Sequence, residues 1–188
     1  MFLRYNQFLT AEEADKVYAH VLDTQEDKLK TYQTGHDTYT GLTALYHQFN
    51  WMPEFKDILN IDLAQLLFKT NALESYNELW VQCWCNAWSQ GEGINMHCHA
   101  SGDDSHTDFM VGHIFIGGDT RTGTYYGELN QTIPSVKGEL HLIGPWDEHK
   151  VVLNTSRETR VSVAMDIWYT EPTWLLERGQ LLHVHKTI

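Results

Sequence analysis

From Leu79 onward, side-chain character alternates with a period of two, whereas before it apolar residues recur at helical spacing. Trp80, Gln82, Trp84, Asn86 and Trp88 share one side of the first such run, and Val81, Cys83, Cys85 and Ala87 the other. Further runs follow at Ile94–His99, Phe109–Ile116, Tyr125-Tyr126, Glu139–Ile143, His149–Leu153 and Arg160–Trp168. Gly117-Gly118, Gly123 and Gly144-Pro145 punctuate them. Seven or eight short strands separated by turns predict a mainly β sandwich or barrel.

The N-terminal third reads as helical. Thr10-Ala11-Glu12-Glu13 is a capping box, in which hydroxyl and carboxylate satisfy the free amides of a helix start. Ala14, Val17, Tyr18 and Val21 then predict a helix over about 11–23. Asp27 to Thr43 is polar and rich in threonine and tyrosine, which predicts an extended segment and a loop. Pro53 opens a second helical region that carries Ile58, Ile61, Leu63, Leu66 and Leu67 and breaks near Asn60. With 188 residues, the chain is expected to form one domain. Its helical part covers about 1–75, its barrel about 79–170, and its tail 171–188, with a helical turn at Trp174-Leu175-Leu176.

A formal net charge of -12 repels phosphate backbones, so no nucleic-acid partner is expected. The cysteines are Cys83, Cys85 and Cys98; an odd, small number predicts reduced thiols and a cytoplasmic location. Neither a signal peptide nor a membrane span is expected from the N-terminal residues.

The chemistry concentrates in histidines and one arginine. Residues two apart in a strand point the same way, so His97 and His99 face together, and His149 opens a later strand after a turn. Imidazole nitrogens suit iron, zinc, copper or nickel, and three of them with an open side describe a catalytic metal site. On the last strand, Arg160, Ser162, Ala164 and Asp166 share one face, and Val161, Val163, Met165 and Ile167 the other. The apolar set belongs to the core and the arginine set to the barrel interior. An inward arginine needs an anion, best a bidentate carboxylate, which implies a small acidic co-substrate. His113, His141 and His183 are read as hydrogen-bonded core or surface residues. Cys98 points away from its neighbouring histidines, Cys83 and Cys85 pack in the core, and Trp84 is the tryptophan expected at the pocket.

Taken together, Trp84-x-Asn86, Gly93-x-x-x-His97-x-His99, Gly112-His113-Ile114-Phe115-Ile116, Gly138-Glu139-Leu140, Gly144-Pro145, His149 and Asn154-x-x-x-x-x-Arg160-Val161-Ser162-Val163 resemble the 2-oxoglutarate and Fe(II)-dependent oxygenases. The small oxygenases of marine phages and bacteria are the nearest group. The resemblance spans about residues 5 to 170. It implies a double-stranded β-helix, a jelly-roll or cupin-like barrel, with N-terminal helices packed outside. It implies a dioxygenase that hydroxylates a small molecule or protein side chain and releases succinate and CO2. His97 and His149 would be two iron ligands, and Arg160 with Ser162 would hold the distal carboxylate of 2-oxoglutarate. Asn86 or Gln82 would touch the keto-acid end. Tyr126 or Tyr125 would close the pocket, since parity lets only one point inward.

The third ligand departs from the family pattern, which has aspartate or glutamate where this chain has His99. His99 is the first candidate. Asp103 and Asp108, the latter in His106-Thr107-Asp108, are the carboxylate alternatives. The segment Tyr32 to Tyr46 is the expected substrate-facing lid. A looser resemblance to the cupins, through His97-x-His99, Asp103, Gly138, Pro145, His149 and Asn154, would give an isomerase or a dioxygenase without a keto acid. A non-catalytic binding barrel is the remaining reading.

Overall fold

A helix opens where the capping box lies, with Thr10 N–H donating to Glu13 Oε2 at 2.8 Å and Glu13 N–H to Thr10 Oγ1 at 3.2 Å. This helix, α1, spans Ala11–Thr31, beyond the expected end at 23 and through the start of the segment expected to be extended. Val17 and Val21 are buried, but Leu22 is exposed: apolar spacing marks where a helix meets the core, not where it ends. The computed structural model describes residues 1–31, 51–100, 108–173 and 181–187, the side chains of 26–31 excepted. The expected lid and the turn at 174–176 lie outside these residues. Helix α2 (Met52–Leu59) carries Pro53 in its first turn, where a missing amide hydrogen costs nothing. It stops at Asn60, whose φ of 56° is left-handed. Helix α3 (Leu63–Leu67) starts from Asp62, whose side chain accepts from Ala64 N at 3.0 Å.

Among the described residues, ten strands follow the expected order, with three additions: β1 (Phe2–Tyr5), β2 (Glu78–Trp88), β3 (Ile94–His97), β4 (Phe109–Gly117), β5 (Thr124–Tyr126), β6 (Gln131–Ile133), β7 (Leu140–Ile143), β8 (His149–Val151), β9 (Arg160–Trp168) and β10 (Leu182–His185). One antiparallel sheet has the order β1-β7-β4-β9-β2-β10, and the other β3-β8-β5-β6. These are the two sheets of a double-stranded β-helix. The added strands β1, β6 and β10 are all at sheet edges. His183 lies on β10, an exposed sheet edge, and stacks on Trp80 with ring centroids 4.5 Å apart.

Alternation decides what the larger sheet does on each side. Val161, Val163, Met165 and Ile167 are fully buried and pack with Cys83, Cys85 and the helix residues Val17, Phe55, Leu63 and Leu67. The opposite face of β2, β4 and β9 turns toward the smaller sheet. Strand β9 lies between β4 and β2, paired with β2 residue for residue and with β4 up to a register shift between Phe115 and Gly117, which fixes which side chains reach that space. Gly138 ties the N-terminal segment to the barrel: its carbonyl accepts from Leu9 N at 2.9 Å, and at its φ of +76° a Cβ would lie 2.1 Å from Leu9 O. No helix among the described residues is long and apolar enough to cross a membrane.

Candidate metal and carboxylate site

Between the two sheets lies a solvent-open cavity. Strands β2, β4 and β9 supply its floor, and β3, β5 and β8 its opposite wall. At one end stand three histidines. His97 and His149 are register partners across β3 and β8, and their ring centroids are 4.3 Å apart. His99 lies past the end of β3, where its backbone N–H donates to Pro145 O at 3.0 Å. Its ring is 5.4 Å from that of His97 and 5.3 Å from that of His149. The parity argument thus reaches the right outcome although the strand stops two residues short. One ring nitrogen from each of the three lies within 4.8 Å of the others.

The hydrogen bonds set the tautomers. His97 Nδ1 is 2.8 Å from Asn95 O, and His149 Nδ1 is 3.0 Å from Asp147 O. His99 Nδ1 is 2.6 Å from Asp166 Oδ1. Each partner is an acceptor, so Nδ1 carries the proton and the neutral ring keeps its lone pair on Nε2. Burial lowers the pKa of His97, and neighbouring His99 adds to the shift, which keeps the ring neutral. Neutral imidazoles held by a second acceptor are what a divalent metal needs.

At the other end, Arg160 is 1% exposed. Its guanidinium donates to Ser162 Oγ at 3.3 Å, Thr124 Oγ1 at 3.3 Å and Ser135 Oγ at 3.4 Å. All three partners are neutral, and among the described residues it forms no ion pair; Nε has no hydrogen-bond partner. Burial without a counter-ion pulls its pKa down from 12.5 to about 10. Asn86 stands opposite Ser162 in the β2–β9 register, and its Oδ1 is also buried without a hydrogen-bond partner. Both residues line the cavity with Ser162; Gln82, buried farther along β2, does not.

Tyr126 points inward and Tyr125 outward, where its hydroxyl donates to Asn130 Oδ1. Tyr126 lies behind the cavity lining, however, and His113 lines it instead. Glu139 Oε2 accepts from His141 Nε2 at 3.1 Å, so His141 Nδ1 accepts from the Tyr126 hydroxyl at 2.8 Å. The same hydroxyl oxygen accepts from His113 Nε2 at 2.9 Å. Arg4 Nε closes the chain by donating to Glu139 Oε1 at 2.5 Å. The sequence reading of His113 and His141 as hydrogen-bonded residues holds, but it missed that His113 faces the cavity. That role follows from the pairing of β4 with β7, which sets His113 against His141.

Asp108 is exposed, its backbone carbonyl accepts from Tyr169 N at 3.1 Å, and it is not part of the histidine cluster. Asp103 and His106 lie outside the described residues. Cys98 turns its Sγ to Ala100 O at 3.1 Å. Trp84 lines the cavity as expected, joined by Trp88.

No protein-family model matches the sequence, and no curated protein sequence does. The fold does find likenesses among solved structures. A prolyl-4-hydroxylase from Pseudomonas putida superposes with a TM-score of 0.59 at 12% identity, over 90% of this chain and 93% of that one. A viral collagen prolyl hydroxylase from Paramecium Bursaria Chlorella virus-1, solved as its 2OG complex, gives 0.61 at 12% identity, over 90% and 96%. A non-heme alpha-ketoglutarate-dependent carbocyclase from nogalamycin biosynthesis gives 0.65 at 12% identity, over 89% and 79%. These likenesses establish the fold, the one expected from the resemblance to 2-oxoglutarate-dependent oxygenases.

Proposed function

We propose that the chain is a non-haem Fe(II) and 2-oxoglutarate-dependent dioxygenase. The observation that carries this reading is Arg160, a buried cation at the cavity whose hydrogen-bond partners are all neutral hydroxyls and whose guanidinium lies 5.5 Å from the centre of the Phe115 ring. A guanidinium out of water is costly until an anion meets it, and a carboxylate matches its planar fork. In this reading Arg160 and Ser162 hold the distal carboxylate, and Asn86 steadies the chain of the diacid from β2. Tyr126 acts from behind by fixing the ring of His113.

The donor set at the other end fits a divalent metal. His97, His99 and His149 offer imidazole nitrogens, which suit iron among other transition metals. Bound there, the metal would supply oxygen activation coupled to loss of CO2 and formation of succinate. The protein residues orient and exclude water. Trp84, Trp88, Ile94, Val111 and Val151 make the walls apolar, so the bound diacid is desolvated when it pairs with Arg160.

The acceptor of the oxygen atom is a small molecule or a protein side chain. One likeness is to a prolyl hydroxylase from Trichoplax adhaerens in complex with a peptide fragment, at 11% identity and a TM-score of 0.63. We place the enzyme in a reducing compartment such as the cytoplasm, consistent with three free cysteines. A cupin without a keto acid has no use for an inward arginine, and Arg160 therefore favours the first reading. The deciding experiment is anaerobic calorimetry of 2-oxoglutarate with Fe(II)-loaded protein, followed by succinate measurement in air. Tight binding and succinate formation are expected. A metal-loaded protein that ignores 2-oxoglutarate would leave the cupin or binding-barrel reading.

A further inference from the structure

The three histidines differ in what stands behind them. His97 and His149 donate from Nδ1 to backbone carbonyls, which are neutral. His99 donates from Nδ1 to a carboxylate, Asp166 Oδ1 at 2.6 Å. It is also His99 that occupies the position where the resemblance leads one to expect an acidic ligand. Both side chains are well covered, at 9% and 14% exposure. Asp166 has no other ion partner among the described residues. Arg160 shares its strand face but sits six residues away, roughly 20 Å along an extended strand.

We infer that Asp166 supplies, through His99, the negative charge that an aspartate or glutamate ligand supplies in a two-histidine, one-carboxylate site. The inference rests on the reading of His97, His99 and His149 as metal ligands. Three neutral imidazoles leave a divalent ion with its full charge, whereas a carboxylate in the set removes one unit of it. The pair on β9 and the β3 exit moves that unit one side chain outward. The His99 Nδ1–H bond to Asp166 fixes the ring's orientation and raises the donor strength of its other nitrogen. Asp166 is thus a positioning residue, not a ligand. Register puts it there: it stands opposite Gln82 on β2 and Val111 on β4, at the end of the face that begins with Arg160.

The test uses Co(II) as an inert, coloured probe, bound anaerobically to the whole chain. Asp166→Asn keeps an acceptor for Nδ1–H and removes the charge; Asp166→Ala removes both. Co(II) affinity is expected to fall by about 10- to 100-fold in Asp166→Asn, and further in Asp166→Ala, with a shifted visible absorption in each. In a His99→Ala background, Asp166→Asn should change nothing more. Equal affinity and an unchanged spectrum in Asp166→Asn overturn the inference, and so does an equal loss in the His99→Ala background. A wild-type protein that binds no Co(II) overturns the ligand reading itself and the inference with it. A measurement free of variants guards against misfolding: in Zn(II)-loaded wild type, the Nδ1 proton of His99 should resonate at lower field than those of His97 and His149. Three alike resonances overturn the inference.

Discussion

His97 and His149 face each other across β3 and β8, and each gives its Nδ1 proton to the backbone carbonyl two residues before it, Asn95 and Asp147. The same local device is used twice, on two strands running in opposite directions. Because these acceptors are main-chain atoms, the backbone itself orients both rings, through β3 for His97 and through the turn before β8 for His149.

That arrangement makes His149 hard to replace. His149→Ala is expected to abolish measurable divalent metal binding while the far-ultraviolet circular dichroism stays that of the wild type. Full metal retention, measured by elemental analysis after desalting, would remove the site from this end of the cavity.

The identity of the third ligand can be read from two variants. His99→Ala should weaken metal affinity by at least about tenfold, on the order of 1.4 kcal/mol. Asp108→Ala should leave it unchanged, since that side chain is exposed and outside the cluster. The opposite pattern in anaerobic titrations would transfer the role to Asp108.

Arg160 should behave as a ligand-binding group that burdens the empty protein. Arg160→Met is expected to weaken 2-oxoglutarate binding by tenfold or more, given about 1.5–3 kcal/mol for a charge-assisted bond. Metal binding should persist. In the absence of 2-oxoglutarate the variant should melt no lower than wild type, because a buried guanidinium without a counter-ion is replaced by an apolar chain of similar length. Calorimetry and thermal melts of the two proteins check both halves.

Acid should destabilise the protein through its buried histidines. Burial, with His141 and Arg160 nearby, pushes the pKa of His113 well below 6.5, and burial lowers that of His141. Below about 6.5 the unfolded chain binds protons that the native rings refuse, so stability is full above that pH and declines beneath it. The melting temperature should therefore drop between pH 7.5 and 5.5, and His113→Gln should flatten that slope. Parallel slopes for the two proteins would show that the acid sensitivity lies elsewhere.

Much of this was legible because alternation is a local property. The bounds of β9 are those read from the sequence, and the two faces of β9 divide as expected between core and cavity. Arg160, Ser162, Asn86 and the three histidines meet in one cavity for the same reason. What the sequence hid depends on pairing between distant segments. The edge strands β1, β6 and β10 are short, and it is their partners that make them strands. Parity let only one of Tyr125 and Tyr126 point inward, and the structure has Tyr126 inside, but only the β4–β7 pairing reveals that His113 and His141 flank its hydroxyl. Helix α1 ran past its predicted end because its later residues carry no apolar signal.

Strand β9 carries a constraint on how the chain can change over time. Its neighbours β2 and β4 hold it on both sides, β2 residue for residue and β4 from Phe109 to Phe115, with Val161, Val163, Met165 and Ile167 inside the helical core and Arg160, Ser162, Ala164 and Asp166 on the cavity side. A single inserted or deleted residue would exchange the two sets, driving charge into the core and aliphatic groups into the cavity. Lineages can therefore swap residues along this strand one at a time, while gains and losses of length must fall in the connections around it.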